Sequence, residues 1–216
     1  MVINLHGYEL RRALETCLQG TLPATSPDDA RFPGVANEHL PELLKLLPQS
    51  LAPAAVLMPI VDRPDGLSLL LTRRASALKR HAGQISFPGG RLEASDAGPL
   101  AAALRETEEE IGLGRDFVTV AGYLRPQLIV TGYWIVPVVA FVTPGFDLRI
   151  DPVEVQEAFE VPLVHVLDPA NHAQRERQIG ELTIKSIEIP CGDHVIWGAT
   201  AAMLVALSAL LYPPRA

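Results

Sequence analysis

Cysteine is scarce in this sequence. Cys17 and Cys191 are its whole complement in 216 residues. Neither belongs to a CxxC pair, which excludes a zinc ribbon or a dithiol redox motif, and both read as reduced, buried thiols. Basic residues are also in deficit. With 18 Lys+Arg against 25 Asp+Glu, the formal net charge is −7. An acidic chain is unsuited to broad, salt-dependent nucleic-acid binding, so a polyanionic substrate would have to meet a local cationic patch or a metal ion. Long apolar runs are missing as well. The longest, Ala199 to Leu211, covers 13 residues and is broken only by Thr200 and Ser208. A membrane span needs about 20 residues, so this run reads as a buried core helix. The N-terminus, Met1-Val2-Ile3-Asn4-Leu5-His6, lacks the basic start and apolar stretch of a signal peptide, and Pro213-Pro214-Arg215-Ala216 resembles no peroxisomal or lipid-anchor signal. A cytoplasmic protein with a small-molecule partner, and with neither nucleic acid nor membrane, is the expectation.

What is present is ample hydrophobic material, 48% of residues with only 20% charged, which excludes a disordered chain. Residues 1–50 read as an N-terminal helical extension. Leu10, Leu14 and Leu18 recur at helical spacing, Thr21 to Pro33 is a loop rich in Pro, Ser and Asp, and His39 to Leu47 is a second short helix. Residues 51–216 read as the main domain, including the C-terminal helix. Ala54 to Val61 and Leu67 to Thr72 flank the turn cluster Asp62-Arg63-Pro64-Asp65-Gly66, as in a hairpin. Ile85 to Phe87 runs into a tight corner at Pro88-Gly89-Gly90. Pro99 to Glu110 is a helix with proline in its first turn, stopped by Gly112. Strands follow at Val118 to Leu124, Ile135 to Val142 and Ala158 to Leu163. This order suits a mixed sheet covered by helices.

The helix at 99–110 is chemically unusual. At about 100° per residue, Glu110 lies about 40° and Glu109 about 60° from Glu106, on one face. Leu100, Leu104 and Ile111 fall on the other side, where they can bury. Carboxylates at this spacing repel one another, and the C-terminal end of a helix dipole disfavours them further. A solvated acidic face is one reading. The other is a site for Mg²⁺ or Mn²⁺, hard cations that relieve both penalties. Arg105, four residues before Glu109, is placed to hold that carboxylate. Upstream, Thr72 to His81 gathers Arg73, Arg74, Lys79, Arg80 and His81 into ten residues. Such a run is either a solvated basic loop or a phosphate-holding partner for a metal-holding helix.

Together these residues resemble a known family. Gly90-Arg-Leu-Glu-Ala-Ser-Asp96 followed by Arg105-Glu106-Thr107-Glu108-Glu109-Glu110-Ile111-Gly112-Leu113 is similar to the Nudix box, G-x5-E-x7-R-E-U-x-E-E-x-G-U. Asp96 stands at the first Glu, eight residues rather than seven precede Arg105, and Thr107 holds an apolar position. Leu70-Leu71-Thr72-Arg73-Arg74-Ala75, then Lys79, Gly83 and Phe87-Pro88-Gly89-Gly90, resembles the signature of the coenzyme A diphosphatase branch, with Lys79 in place of arginine. Ile196-Trp197-Gly198-Ala199-Thr200 is a further shared element.

The resemblance implies an α/β (α+β) fold, the Nudix α/β/α sandwich with a mixed sheet and the box as loop–helix–loop. It implies hydrolysis of the diphosphate in coenzyme A or acyl-CoA by a monomer or homodimer using Mg²⁺ or Mn²⁺. Glu106, Glu109 and Glu110 carry over as metal ligands and Arg105 as their organiser. Gly89 and Gly90 carry over as a corner whose carbonyl reaches a metal. Arg73, Arg74, Lys79, Arg80, Gly83 and Phe87 complete the expected substrate-binding set. Glu109 is one choice of general base; Glu154 and Glu157 are downstream alternatives, or merely a polar strand edge. His81 suits a phosphate donor better than a zinc ligand. Trp134 and Trp197 suit the core better than an adenine platform. Arg175, Arg177 and Lys185 suit solvent. Another Nudix diphosphatase substrate, such as ADP-ribose or a dNTP, and a non-catalytic nucleotide sensor remain as alternatives.

Overall fold

The computed structural model describes residues 7–32, 40–78, 81–179 and 182–212. Lys79 and Arg80 lie outside the described residues. The centre of the fold is β1 (Ala52–Arg63), an apolar strand that turns at Pro64 and Asp65 into β2 (Gly66–Arg74). The pairing is antiparallel, with Ile60 opposite Leu69 and Arg63 opposite Gly66, as the turn cluster requires. On its other edge β1 runs parallel to β7 (Tyr133–Val142). The short β3 (Ile85–Ser86) and the longer β8 (Val155–Pro162) pair with β2, while β5 (Val118–Tyr123) and β6 (Gln127–Ile129) pair with β7. The sheet is therefore mixed.

Successive side chains of β1 serve opposite faces, as strand geometry dictates. Ala55, Leu57 and Val61 bury against α3 (Pro99–Ile111), while Met58 and Ile60 bury on the other face. That second face is covered by α1 (Tyr8–Leu18), α4 (Leu163–Leu167) and α5 (Gly198–Leu211). The result is a mixed sheet between helical layers. A second, three-stranded sheet, β9 (Ala173–Ile179), β10 (Leu182–Cys191) and β11 (His194–Trp197), packs on α5. β9 is mostly polar, β10 intersperses apolar with polar residues and β11 is only four residues long, so none offers the long apolar run that marks β1 and β7.

The N-terminal segment is built into this core. Leu10, Leu14 and Leu18 are fully buried in the same cluster as Met58 and Leu204. Each contributes about 2 kcal/mol of burial as an upper value. Thr21 Oγ donates to the Leu18 carbonyl and accepts the Tyr123 N–H at 2.9 Å, tying the end of α1 to β5. The short α2 (Leu40–Lys45) places Leu43 in a third cluster with Phe32, Leu128 and Trp134.

Three expectations need correction. Cys17 is exposed, because it lies off the leucine stripe of α1, although its thiol approaches the Leu210 carbonyl; only Cys191 is buried, and both are free. In α3 the buried stripe is Ala102, Ala103, Thr107, Glu110 and Ile111, with Leu100 and Leu104 only partly covered. Small residues let the helix lie close to the sheet, and the leucines close its flanks. Finally, the Pro-Gly-Gly segment is more than a corner. Gly89–Arg91 forms a strand, β4, antiparallel to Ala54–Val56 of β1.

Candidate active site

The site begins with the termination of α3. Gly112 caps the helix in the left-handed conformation, at φ 69°. A Cβ there would meet the Arg149 backbone nitrogen at 3.0 Å, so only glycine admits the next segment at this distance. That segment is pinned to the helix end: Arg149 N–H donates to the Ile111 carbonyl at 2.8 Å and Asp151 N–H to the Glu110 carbonyl at 2.9 Å. Three residues on stands Glu154, whose carbonyl accepts the Ala75 N–H. The helix cap thus brings Glu154 close enough to raise the pKa of both Glu106 and Glu110 electrostatically.

Arg105 contacts the carboxylates that its position in the helix suggests. Its Nε and Nη2 grip Asp96 at 3.1 and 3.0 Å, while Nη1 reaches Glu106 and Glu109, each at 3.0 Å. Asp96, only 5% exposed, also accepts the Glu93 N–H, and Arg105 holds its pKa below the usual carboxylate value. The shorter Asp in place of Glu, together with the extra residue, therefore still delivers a bidentate anchor for the guanidinium.

The three glutamates share a helix face but not one environment. Glu110 is 4% exposed, whereas Glu109 is 61% exposed and turned onto Arg105. Among the described residues no three His, Cys, Asp or Glu side chains are gathered into a finished cage. The face is nevertheless suited to a hard divalent ion. Burial pushes the Glu110 carboxyl from its ordinary 4.5 up to about 7, against the opposing effects of the Gly89 N–H at 3.2 Å and Arg74. Burial likewise raises Glu106, opposed by Arg105 and reinforced by Glu109 and Glu154. Buried carboxylates facing one another without enough compensating charge are what a cation would relieve, and every donor is an oxygen.

The paired glycines frame this face. A Cβ on Gly90 would overlap the Glu106 carboxyl, the far end of a flexible side chain. A Cβ on Gly89, at φ 147°, would strike the β1 backbone within 2.6 Å of Val56 Cα. The two alanine substitutions should therefore part ways. Gly90→Ala should leave the melting temperature within a few degrees of wild type while lowering turnover about tenfold or more. Gly89→Ala should cost about 2 kcal/mol or more of stability, read by thermal or urea unfolding.

The basic segment divides by strand alternation. Arg74 faces the cleft: its Nη1 lies 3.7 Å from Glu110, and its Nε is buried with no protein hydrogen-bond partner. Arg73 faces away from it. Its Nη2 donates to His194 Nδ1 at 2.6 Å and its Nε lies 3.5 Å from Glu157. Of the two arginines expected to bind substrate, Arg74 lines the cleft and Arg73 is turned to His194 and Glu157. Glu157 is engaged by Arg73 and approached by His194, so of the two downstream carboxylates only Glu154 joins the acidic face. Gly83, at φ 69°, turns the loop back so that its N–H donates to the Arg74 carbonyl. Phe87 is buried in the core and lends one side to the cleft.

A cleft of about 570 Å³ opens beside these groups. Arg74, His81, Gly89, Gly90 and Arg91 are among the residues that line it. Trp197 also lines it, whereas Trp134 is core. Sequence reasoning missed Arg91, Phe32 and Leu43 as lining residues. The first is a variable position of the box, and the other two precede every motif. Arg175 pairs with Glu188 on the second sheet, and its side chain does not line this cleft.

Comparison with known proteins matches residues 51–182 to a family model described as the NUDIX domain. The chain belongs to the Nudix family. Among curated relatives of this Nudix chain, a protein of Photorhabdus laumondii named uncharacterized Nudix hydrolase NudL is 38% identical over 174 residues, covering 77% of this chain and 88% of that one. The Escherichia coli protein of the same name is 48% identical over 155 residues, covering 70% and 78%. A solved Nudix hydrolase of M. smegmatis, RenU, is 23% identical, with a TM-score of 0.47 over 55% of this chain and 75% of that one. As a Nudix hydrolase the protein acts on phosphoric anhydrides of small molecules, and enzymes of this family generally use divalent ions such as Mg²⁺ or Mn²⁺. Among the described residues no helix is long and apolar enough to cross a membrane.

Proposed function

We propose that this Nudix hydrolase cleaves the diphosphate of coenzyme A or its thioesters, giving 3′,5′-ADP and (acyl-)4′-phosphopantetheine. The observation that carries the reading is the meeting of two motifs in one cleft. Arg74, from the segment resembling the coenzyme A diphosphatase signature, lies against Glu110 of the Nudix box, with a buried Nε–H that lacks a protein acceptor. A diphosphate oxygen would supply that acceptor. Glu106, Glu109 and Glu110 would hold Mg²⁺ or Mn²⁺, with Glu109 rotating inward from Arg105. A bound ion supplies charge neutralisation at the diphosphate and a more acidic water.

The chain's own groups do the rest. Arg105 fixes Glu106 and Glu109 through its anchor on Asp96. Glu154, near enough to Glu106 and Glu110 to act on both electrostatically, would take the proton as water oxygen attacks phosphorus and the bridging P–O bond breaks. Residues 51–216 form the catalytic domain in this reading, with 1–50 packed on it as an extension, in a cytoplasmic monomer or homodimer.

The test is a substrate panel with identified products: coenzyme A, dephospho-coenzyme A, ADP-ribose and dNTPs, each with Mg²⁺ and Mn²⁺. Coenzyme A should be cleaved best. Arg74→Ala should raise KM about tenfold or more, a loss of about 1.4 kcal/mol, while Arg73→Ala changes it little. A much faster reaction with ADP-ribose or a dNTP would replace the substrate assignment and leave the enzyme class standing.

A further inference from the structure

Strand β8 is irregular where it meets the two arginines of β2. Leu71 stands opposite Phe159 and Arg73 opposite Glu157, but Arg74 stands opposite Val155, so Gln156 is an extra residue in β8. Without such a bulge Val155 and Glu157, two residues apart, would share a face. With it, Glu157 lies on the face of Arg73 and Phe159, while Val155 joins Leu70 in the layer under α3. Bulges beside active sites re-aim side chains. The residue that leads into this one is Glu154, whose carbonyl accepts the Ala75 N–H at 2.8 Å.

A side chain from the second sheet locks the bulge. His194 begins β11, opposite Cys191 of β10, in the part of the chain beyond the Nudix match at 51–182. Its ring stacks on Phe159, with centroids 3.9 Å apart and planes 23° from parallel. Arg73 Nη2 donates to its Nδ1 at 2.6 Å. A guanidinium has no acceptor, so Nδ1 supplies the lone pair and the ring proton sits on Nε2, which lies 3.8 Å from Glu157. Arg73 Nε in turn lies 3.5 Å from Glu157. The imidazole therefore joins both strands of the bulge, β2 through Arg73 and β8 through Phe159 and Glu157. Thr200 adds a tie on the other edge of β2. Its hydroxyl donates at 2.9 Å to the carbonyl of Ile85, the residue paired with Arg73 on β3.

We propose that His194 is a positioning residue for the hydrolysis: by joining Arg73 to Glu157 and Phe159 it fixes the β2–β8 bulge, and so holds the Glu154 carboxylate where it takes the proton of the attacking water. This rests on the role given to Glu154 in the function proposed above. The Gly112 cap holds Glu154 from the upstream side through Asp151, and the bulge holds it from the downstream side. A base displaced by about 1 Å acts more slowly on a substrate that still binds, so loss of His194 should fall on kcat rather than on KM.

The test compares kcat and KM of full-length wild type, His194→Phe, His194→Asn, Glu154→Gln and the double variant His194→Phe with Glu154→Gln. Each is assayed with Mn²⁺ and whichever of coenzyme A, ADP-ribose and dNTPs is cleaved fastest. Phenylalanine keeps a ring on Phe159 and removes the acceptor for Arg73; asparagine does the reverse. His194→Phe should cut kcat about tenfold with KM within about twofold of wild type, and His194→Asn should recover most of that loss. Glu154→Gln should cut kcat about a hundredfold, and adding His194→Phe should cost nothing more, because the group being positioned is already gone. His194→Ala serves if the phenylalanine variant does not fold, which melting temperatures report. Unchanged kcat in His194→Phe, or the same loss in both backgrounds, would overturn this inference and leave the proposed function intact. A change in KM alone would overturn it as well. Full kcat in Glu154→Gln would remove the proton acceptor, and this inference with it. No cleavage of any of these substrates would overturn the proposed function and the inference together.

Discussion

Glu110→Gln is expected to cut turnover by on the order of a thousandfold, about 4 kcal/mol of transition-state stabilisation, while making the ion-free protein more stable above neutral pH. Both effects have one cause. Glu110 is almost fully buried against the sheet, and burial raises its carboxyl from 4.5 to about 7. A raised folded-state value means that the fold favours the protonated acid. That preference is fully present below the unfolded value and is lost as pH rises through the folded one. Ion-free stability should therefore decline between about pH 4.5 and 7, by about 3 kcal/mol in total. Glutamine keeps an oxygen for the Gly89 N–H and carries no charge, so the variant should lose most of this decline. Melting temperatures at pH 5 and pH 8 check it. Wild type should melt lower at pH 8 and recover on adding Mg²⁺ or Mn²⁺, whereas the variant should show little of either effect. The same pH profile in both proteins would count against the assignment.

Arg105→Ala should be the most damaging single change to the stability of the acidic face. It strips a bidentate partner from Asp96, a carboxylate only 5% exposed, and releases Glu106 and Glu109 together. Leaving a buried carboxylate without its cation costs about 3 kcal/mol, and loss of a group that positions metal ligands lowers activity on the order of a hundredfold. The double variant Arg105→Ala with Asp96→Asn separates the two roles. Removing the stranded charge should restore part of the stability, read by urea unfolding, and none of the activity. A loss of stability below about 0.5 kcal/mol in the single variant would mean that the contact is an ordinary surface pair.

The legible part of this protein is the part written in short-range pattern. The α3 helix, its proline start and its Gly112 stop follow from local sequence, as do the β1–β2 hairpin and the leucine stripe of α1. So does the gathering of Arg105 with its acidic neighbours, since these residues lie within a turn of one another. What sequence could not order was contact across strands. Arg73 and Arg74 look equivalent in a run of basic residues, yet strand alternation sends one to His194 and the other to Glu110. Glu154 and Glu157 are equally indistinct until the Gly112 cap draws residues 149–155 to the helix end. The second sheet escaped because β9 is mostly polar and β10 intersperses its apolar residues with polar ones instead of forming a run. The cleft walls at Phe32 and Leu43 escaped because a lining residue carries no local mark.

In the proposed function a divalent ion is held by the acidic face of α3 through Glu110. The most direct measurement is a titration of the wild-type protein and of Glu110→Gln with Mn²⁺ near pH 8, read by electron paramagnetic resonance of the free ion. Wild type should take up manganese, and the variant should take up at least one ion fewer or bind it far more weakly. Equal uptake by both proteins, or none by wild type, would mean that Glu110 holds no ion.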